Sequence, residues 1–88
     1  MKTPKRLKKY RTDAGLTIYT LADRLAKEMG KSVNYSSVSY WENGEKFPRQ
    51  KTLRALEDMF GVGYRDLFDD LTPEEIEELE NRSVKEEH

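Results

Sequence analysis

The sequence has no cysteine, and its single histidine is His88. The first absence excludes a disulfide framework and thiolate metal sites, and it suits a reducing compartment. The second removes the usual general base. There is no glycine-rich phosphate loop and no nucleophile set beside a base. An enzyme is therefore not expected, and neither is a cofactor. No apolar run approaches the length of a signal-peptide core or a membrane span. The expectation is a soluble cytoplasmic protein with no membrane partner. Hydrophobic residues are also sparse, 35% against 38% charged, in a chain of 88 residues. Such a chain builds one small core, and only if its few apolar residues fall on well-placed stripes.

The net charge is −1, which taken alone speaks against a polyanionic partner. The distribution of charge speaks for one. Residues 1–65 hold 14 basic and 7 acidic side chains, whereas residues 66–88 hold 2 basic and 10 acidic. A basic body with an acidic appendix points to a surface that faces nucleic acid. The plainer reading is a solvated acidic tail on an ordinary domain, and charge alone leaves both open. The cluster Asp66, Asp69 and Asp70 reads as solvated tail charge rather than as a metal site.

Helical spacing runs through the chain, and strand-like alternation does not. Thr3-Pro4 reads as cap and first residue of a first helix. Leu7, Tyr10, Arg11 and Ala14 follow at helical spacing, and Gly15 closes it. Thr17 caps a second helix whose inward stripe is Ile18, Leu21, Ala22, Leu25 and Met29, ended by Gly30. Past Val33, Asn34 caps a third helix. In it Val38 and Trp41 face inward, Tyr35, Ser36, Ser39, Tyr40 and Asn43 face elsewhere, and Gly44 is the stop. Phe47-Pro48 lead to a fourth helix from about Gln50 to Met59, with Leu53, Leu56 and Phe60 toward the core and Gly61 at its end. Gly63 caps a short fifth helix from Tyr64 to Phe68. The expected fold is all-α: a compact five-helix domain over residues 1–68, then an acidic C-terminal helix or tail over 69–88. In the tail, Thr72 and Glu75 form a capping box with Pro73 at the first helical position. Ile76 and Leu79 are its apolar pair, suited to docking on the core or on a second subunit. This helix is expected to reach about Arg82 and then give way to disorder.

One series of residues carries more information than helix boundaries. Leu16-Thr17, Leu21-Ala22, Val38-Ser39-Tyr40-Trp41-Glu42-Asn43-Gly44, Pro48, Thr52-Leu53, Leu56, Phe60-Gly61-Val62 and Asp66-Leu67 occur in order. Over residues 7–68 this series resembles the Cro/repressor-type helix-turn-helix group, the lambda repressor-like and xenobiotic-response-element domains. The resemblance implies sequence-selective binding of double-stranded DNA by a transcriptional regulator of phage or mobile-element repressor type. It also implies a homodimer, at least on DNA, and a palindromic operator. The helix at 34–43 would then enter the major groove. Its outward residues Asn34, Tyr35, Ser36, Ser39 and Tyr40 become the base-facing candidates. None is Arg or Gln, so readout is expected to lean on thymine contacts and DNA shape. Tyr35 and Tyr40 also suit a plainer role, lying flat on the domain's own surface. Phosphate-contacting candidates are Thr17, Lys31, Asn43, Lys46 and Arg49, with Lys5, Lys8 and Lys9 flanking the DNA. The resemblance further implies an ion pair between Arg11 and Glu42 that orients the third helix as scaffold. Trp41 is read as core.

The chain departs from the group's pattern in three places. Ile18 stands where the second helix usually carries a phosphate-binding Gln. Arg49 stands where a Ser or Asp cap usually follows the Pro. About six extra residues, near Ala26 to Lys31, are expected to lengthen the second helix by a turn or more, keeping Met29 inward. These departures leave a rival class open: a protein-interaction module with the same fold, such as an antitoxin or an anti-repressor. A protein antagonist is a further partner that the reading admits.

Overall fold

Short polar caps and glycines divide the chain into six helices among the described residues. They are α1 (Arg6–Asp13), α2 (Ile18–Met29), α3 (Tyr35–Glu42), α4 (Gln50–Phe60), α5 (Tyr64–Leu67) and α6 (Pro73–Glu86). The structure is a computed structural model; it describes residues 3–86, with side chains through residue 81. It is all-α there, with one isolated antiparallel bridge between Lys5 and Asp70 and no strand.

The caps explain why the helices start where they do. At α2, the Thr17 hydroxyl accepts from the Thr20 N–H at 3.1 Å, and the Thr20 hydroxyl accepts from the Thr17 N–H at 2.8 Å. This reciprocal box satisfies two donors that the first turn otherwise leaves open. At α3, the Asn34 side-chain oxygen accepts from the Ser36 N–H at 2.9 Å. At α6, Thr72 and Glu75 form the expected box, with Pro73 as the first helical residue. Gly30 closes α2 at φ 72°, a left-handed conformation that costs glycine nothing.

The core lies where α1, α2, α3, α4 and α5 meet. Leu7, Leu21, Leu25, Val38, Leu56 and Leu67 are fully buried, and Trp41 packs with them. Burying one such aliphatic side chain stabilises the fold by about 1.5–3 kcal/mol. The inward stripe of α2 is the expected one, and Met29 packs against the core from the helix's last turn.

Four boundaries and faces differ from expectation. Helix α1 begins at Arg6, with Lys5 as its N-cap, rather than at Thr3-Pro4. Long-range pairing takes the preceding backbone: the Lys5 N–H donates to the Glu42 carbonyl, Arg6 N–H to Asp69, and Leu71 N–H to Pro4. Ala14 is the exposed C-cap of α1 rather than part of its inner stripe; Thr12 is buried instead. In α4, Thr52 and Ala55 turn inward and Leu53 is only half-buried. Small side chains on that face let α4 close on α2, a preference that hydrophobicity alone does not report. Helix α6 continues to Glu86, past the expected end near Arg82. Residues 87 and 88 lie outside the described residues.

Two charged links hold this arrangement. Arg11, buried on α1, donates to both carboxylate oxygens of Glu42 and, through Nη1, to the Leu16 carbonyl at 2.8 Å. Burial pushes the Glu42 carboxyl above its ordinary range, and the Arg11 guanidinium pulls it the other way. The second link fastens the acidic segment to the N-terminal one. Lys5 pairs with Asp70, and the Arg6 guanidinium contacts both oxygens of Glu75 at 2.8 Å. Leu71 and Leu79 are buried beneath these pairs. Leu79 is buried against the domain itself, whereas Ile76 is half-buried. Hydrogen bonding to Thr72 and then to Arg6 holds the Glu75 carboxyl below its ordinary range.

These links behave oppositely toward acid. A raised carboxyl such as Glu42 contributes stability that is full at low pH and is lost as pH rises through its folded value. Replacing Arg11 with Met strands the buried carboxylate and should cost about 3–5 kcal/mol at pH 7. The loss should be smaller at about pH 5, because protonation removes the buried charge. Replacing both Arg11 and Glu42 with apolar residues should cost less than Arg11→Met alone. A depressed carboxyl such as Glu75 contributes stability at neutral pH that is lost as pH falls through its folded value. Glu75→Gln should therefore lower stability at pH 7 by about 1 kcal/mol or less. The gap from wild type should close toward about pH 3. Denaturant titrations across pH measure both.

Candidate nucleic-acid interface

Helix α3 holds a single charged residue, Glu42, and that side chain is turned inward to Arg11. Val38, Trp41 and Glu42 anchor the helix to the body. Its outer side carries only hydroxyls and aromatic rings: Tyr35 is 47% and Tyr40 is 40% exposed, and Ser36 and Ser39 are half-exposed. A helix so composed presents no negative charge to a phosphate backbone. It is also held from behind, which keeps its outer side chains at fixed positions.

Each exposed ring has a neighbour. Tyr35 lies against Tyr19 of α2, with ring centroids 4.6 Å apart and planes 43° apart. The Lys46 ammonium sits 4.7 Å from the centre of the Tyr40 ring. The chain after α3 folds back to reach that place. Gly44 turns it at φ 74°, and the Glu45 and Lys46 N–H groups both donate to the Tyr40 carbonyl. A side chain at residue 44 would also meet Lys5, whose Cε lies 2.7 Å from where a Cβ would stand.

The other candidates separate into two groups. Lys31, Asn34, Lys46 and Arg49 line one groove of about 470 Å³ beside α3, together with Ser37 and Thr52. Lys31 comes from the turn after α2, Lys46 from the α3–α4 link, and Arg49 from the N-cap of α4. Lys31 and the later pair Lys46 and Arg49 thus converge on one concave surface. Thr17 and Asn43 stand outside it, at the N-terminus of α2 and the C-cap of α3. The Thr17 hydroxyl is engaged in its capping box, and the Asn34 oxygen in its cap. With that oxygen held, Asn34 points only its amide N–H groups forward, so a bidentate grip on adenine is weakened. Ile18 is half-buried and packs on the core.

The flanking lysines are differently placed. Lys5 is paired with Asp70 and Lys9 with Asp13. Lys8 is half-buried near Glu42. Among the described residues, no group of acidic and histidine side chains is arranged to hold a metal, and no helix is long and apolar enough to cross a membrane.

Sequence reasoning missed Tyr19 and Thr20. Thr20 had a legible signal, a hydroxyl residue three positions after the Thr17 cap. Tyr19 had none beyond being an aromatic residue off the apolar stripe, because its neighbour belongs to another helix.

Comparison with curated proteins and with solved structures gives no match. A family model described as Helix-turn-helix matches residues 7–67, spanning α1 to α5. The chain belongs to this lambda repressor/XRE-type helix-turn-helix family, whose members are DNA-binding transcription regulators.

Proposed function

We propose that this protein binds double-stranded DNA sequence-selectively as a repressor of the phage or mobile-element type, with α3 in the major groove. The observation that carries the reading is the convergence of Lys31, Lys46 and Arg49 on one groove beside a helix whose outer face is uncharged. The cations supply phosphate contacts and register, while α3 meets the base edges. Thr17 and Asn43 contribute at the helix ends, where the positive end of the α2 dipole and an exposed amide suit phosphate oxygens. Tyr35, Ser36, Ser39 and Tyr40 face the bases, with ring contacts to thymine methyl groups and hydroxyl hydrogen bonds. Asn34 serves chiefly as the cap that starts the reading helix.

The protein acts as a cytoplasmic homodimer on a palindromic operator, two copies of α3 reading successive turns. Residues 69–88 form an acidic appendix to the DNA-binding body over residues 1–68. Asp70 and Glu75 neutralise Lys5 and Arg6, and the remaining negative charge weakens non-specific DNA binding by repulsion.

The decisive experiment is titration of the protein with random duplex DNA at low salt, followed by selection of bound sites from a random pool. Micromolar binding and a selected palindrome are expected. No binding below millimolar would overturn the reading in favour of a protein-interaction module such as an antitoxin or anti-repressor. Lys31→Ala, Lys46→Ala and Arg49→Ala should each flatten the salt dependence of binding by about one unit. Tyr40→Ala should lower the ratio of specific to non-specific affinity and also alter the salt slope, because Lys46 rests on that ring. Tyr35→Ala should lower the ratio and leave the slope unchanged.

A further inference from the structure

Tyr19 takes no part in the contacts assigned above. It stands in the first turn of α2 and is 61% exposed, more than any other large apolar or aromatic side chain among the described residues. An exposed ring contributes little to the core, and exposure alone assigns it no role.

A role follows from what it touches. Its ring packs on Tyr35, the first residue of α3, at 4.6 Å between centroids and 43° between planes. Neither hydroxyl has a hydrogen-bond partner among the described residues. Beside the two rings is an open hollow of about 290 Å³, lined also by Ala22, Asp23, Ala26, Ser32 and Val33. Tyr19, Ala22 and Ala26 follow at helical spacing on the side of α2 that meets the start of α3. Small side chains at 22 and 26 leave Tyr35 no bulky wall on that side. Without Tyr19, the Tyr35 ring has an open hollow and solvent around it and several rotamers to occupy. With Tyr19 in contact at a favourable tilted geometry, one orientation is selected.

We propose that Tyr19 is a positioning residue for sequence readout. It holds the Tyr35 ring in the orientation presented to the major groove, and so sets the preference for thymine at the base step that Tyr35 reads. This rests on the reading that α3 enters the major groove. Tyr19 acts through Tyr35, and makes no base contact of its own.

The test uses the full chain with Tyr19→Ala, Tyr19→Phe, Tyr35→Ala and the Y19A/Y35A double variant. Each is measured for preferred sites from a random duplex pool, specific and non-specific affinity, thermal unfolding, and ring-proton chemical shifts of Tyr35. Tyr19→Ala should lower the specific-to-non-specific ratio about 3- to 10-fold. It should relax the selected base at one position of each half-site and shift the Tyr35 ring signals. Non-specific affinity and its salt slope should be unchanged, and the folded state retained. Tyr19→Phe keeps the ring and should keep both the ratio and the preferred site. The double variant should be no worse than Tyr35→Ala alone, because the two residues act as one unit. An unchanged site preference in Tyr19→Ala, beside an altered one in Tyr35→Ala, overturns the positioning role. Additive losses in the double variant, or a loss in Tyr19→Phe equal to that in Tyr19→Ala, overturn it in favour of direct contact by Tyr19. A wild-type protein that selects no site overturns the major-groove reading itself, before any variant is compared.

Discussion

The buried pair between Arg11 and Glu42 is the constraint on which the rest of the arrangement depends. Helix α3 is eight residues long and mostly polar, too short and too poor in apolar surface to hold its own place. Val38 and Trp41 give it adhesion, but two apolar contacts on a short helix leave its rotation and slide loosely defined. A bidentate guanidinium–carboxylate contact has a required geometry, and it fixes both. Arg11 also reaches the Leu16 carbonyl just before α2. One side chain of α1 thereby indexes both helices of the motif.

Glu42 carries the constraint onward through its backbone. Its carbonyl receives the Lys5 N–H, and the neighbouring residues join Asp69 and Leu71 in the short extended pairing that precedes α1. Lys5 lies against the Gly44 turn, and that turn returns the chain so that Lys46 comes over Tyr40. Charge is sorted along the same path. The acidic appendix is spent first on Lys5 and Arg6, next to the buried Leu71 and Leu79. Lys31, Lys46 and Arg49 lie on the groove beside α3 and form no ion pair with the described residues. A chain with almost no net charge thus keeps a basic surface where its outward helix stands.

The outer face of that helix carries no Arg or Gln, and its exposed rings rest against neighbours from other elements. Each exposed tyrosine of α3 has a contact from another element, Tyr19 for Tyr35 and Lys46 for Tyr40. A ring already held in place loses less freedom on binding than a mobile one. The Asn34 oxygen, by contrast, is committed to starting the helix.

The helices, their caps and the family were legible in the sequence because they depend on local chemistry. Thr17, Asn34, Gly30, Thr72 and Glu75 act on backbone groups a few residues away, and the spacing of Leu21, Leu25, Val38 and Trp41 marks an inner face at helical period. Residues of the outer face of α3 followed from the same period. The first turn of α1 did not follow, because its donors are claimed by Glu42 and Asp69, residues distant in the chain. The inner face of α4 did not follow either, since close approach to α2 favoured Thr52 and Ala55 over the more hydrophobic Leu53. The groove shared by Lys31, Lys46 and Arg49 and the contact of Tyr19 with Tyr35 were likewise decided only by tertiary structure. Each joins residues from different elements, and the physics that joins them is packing between helices, which no local pattern of the chain encodes.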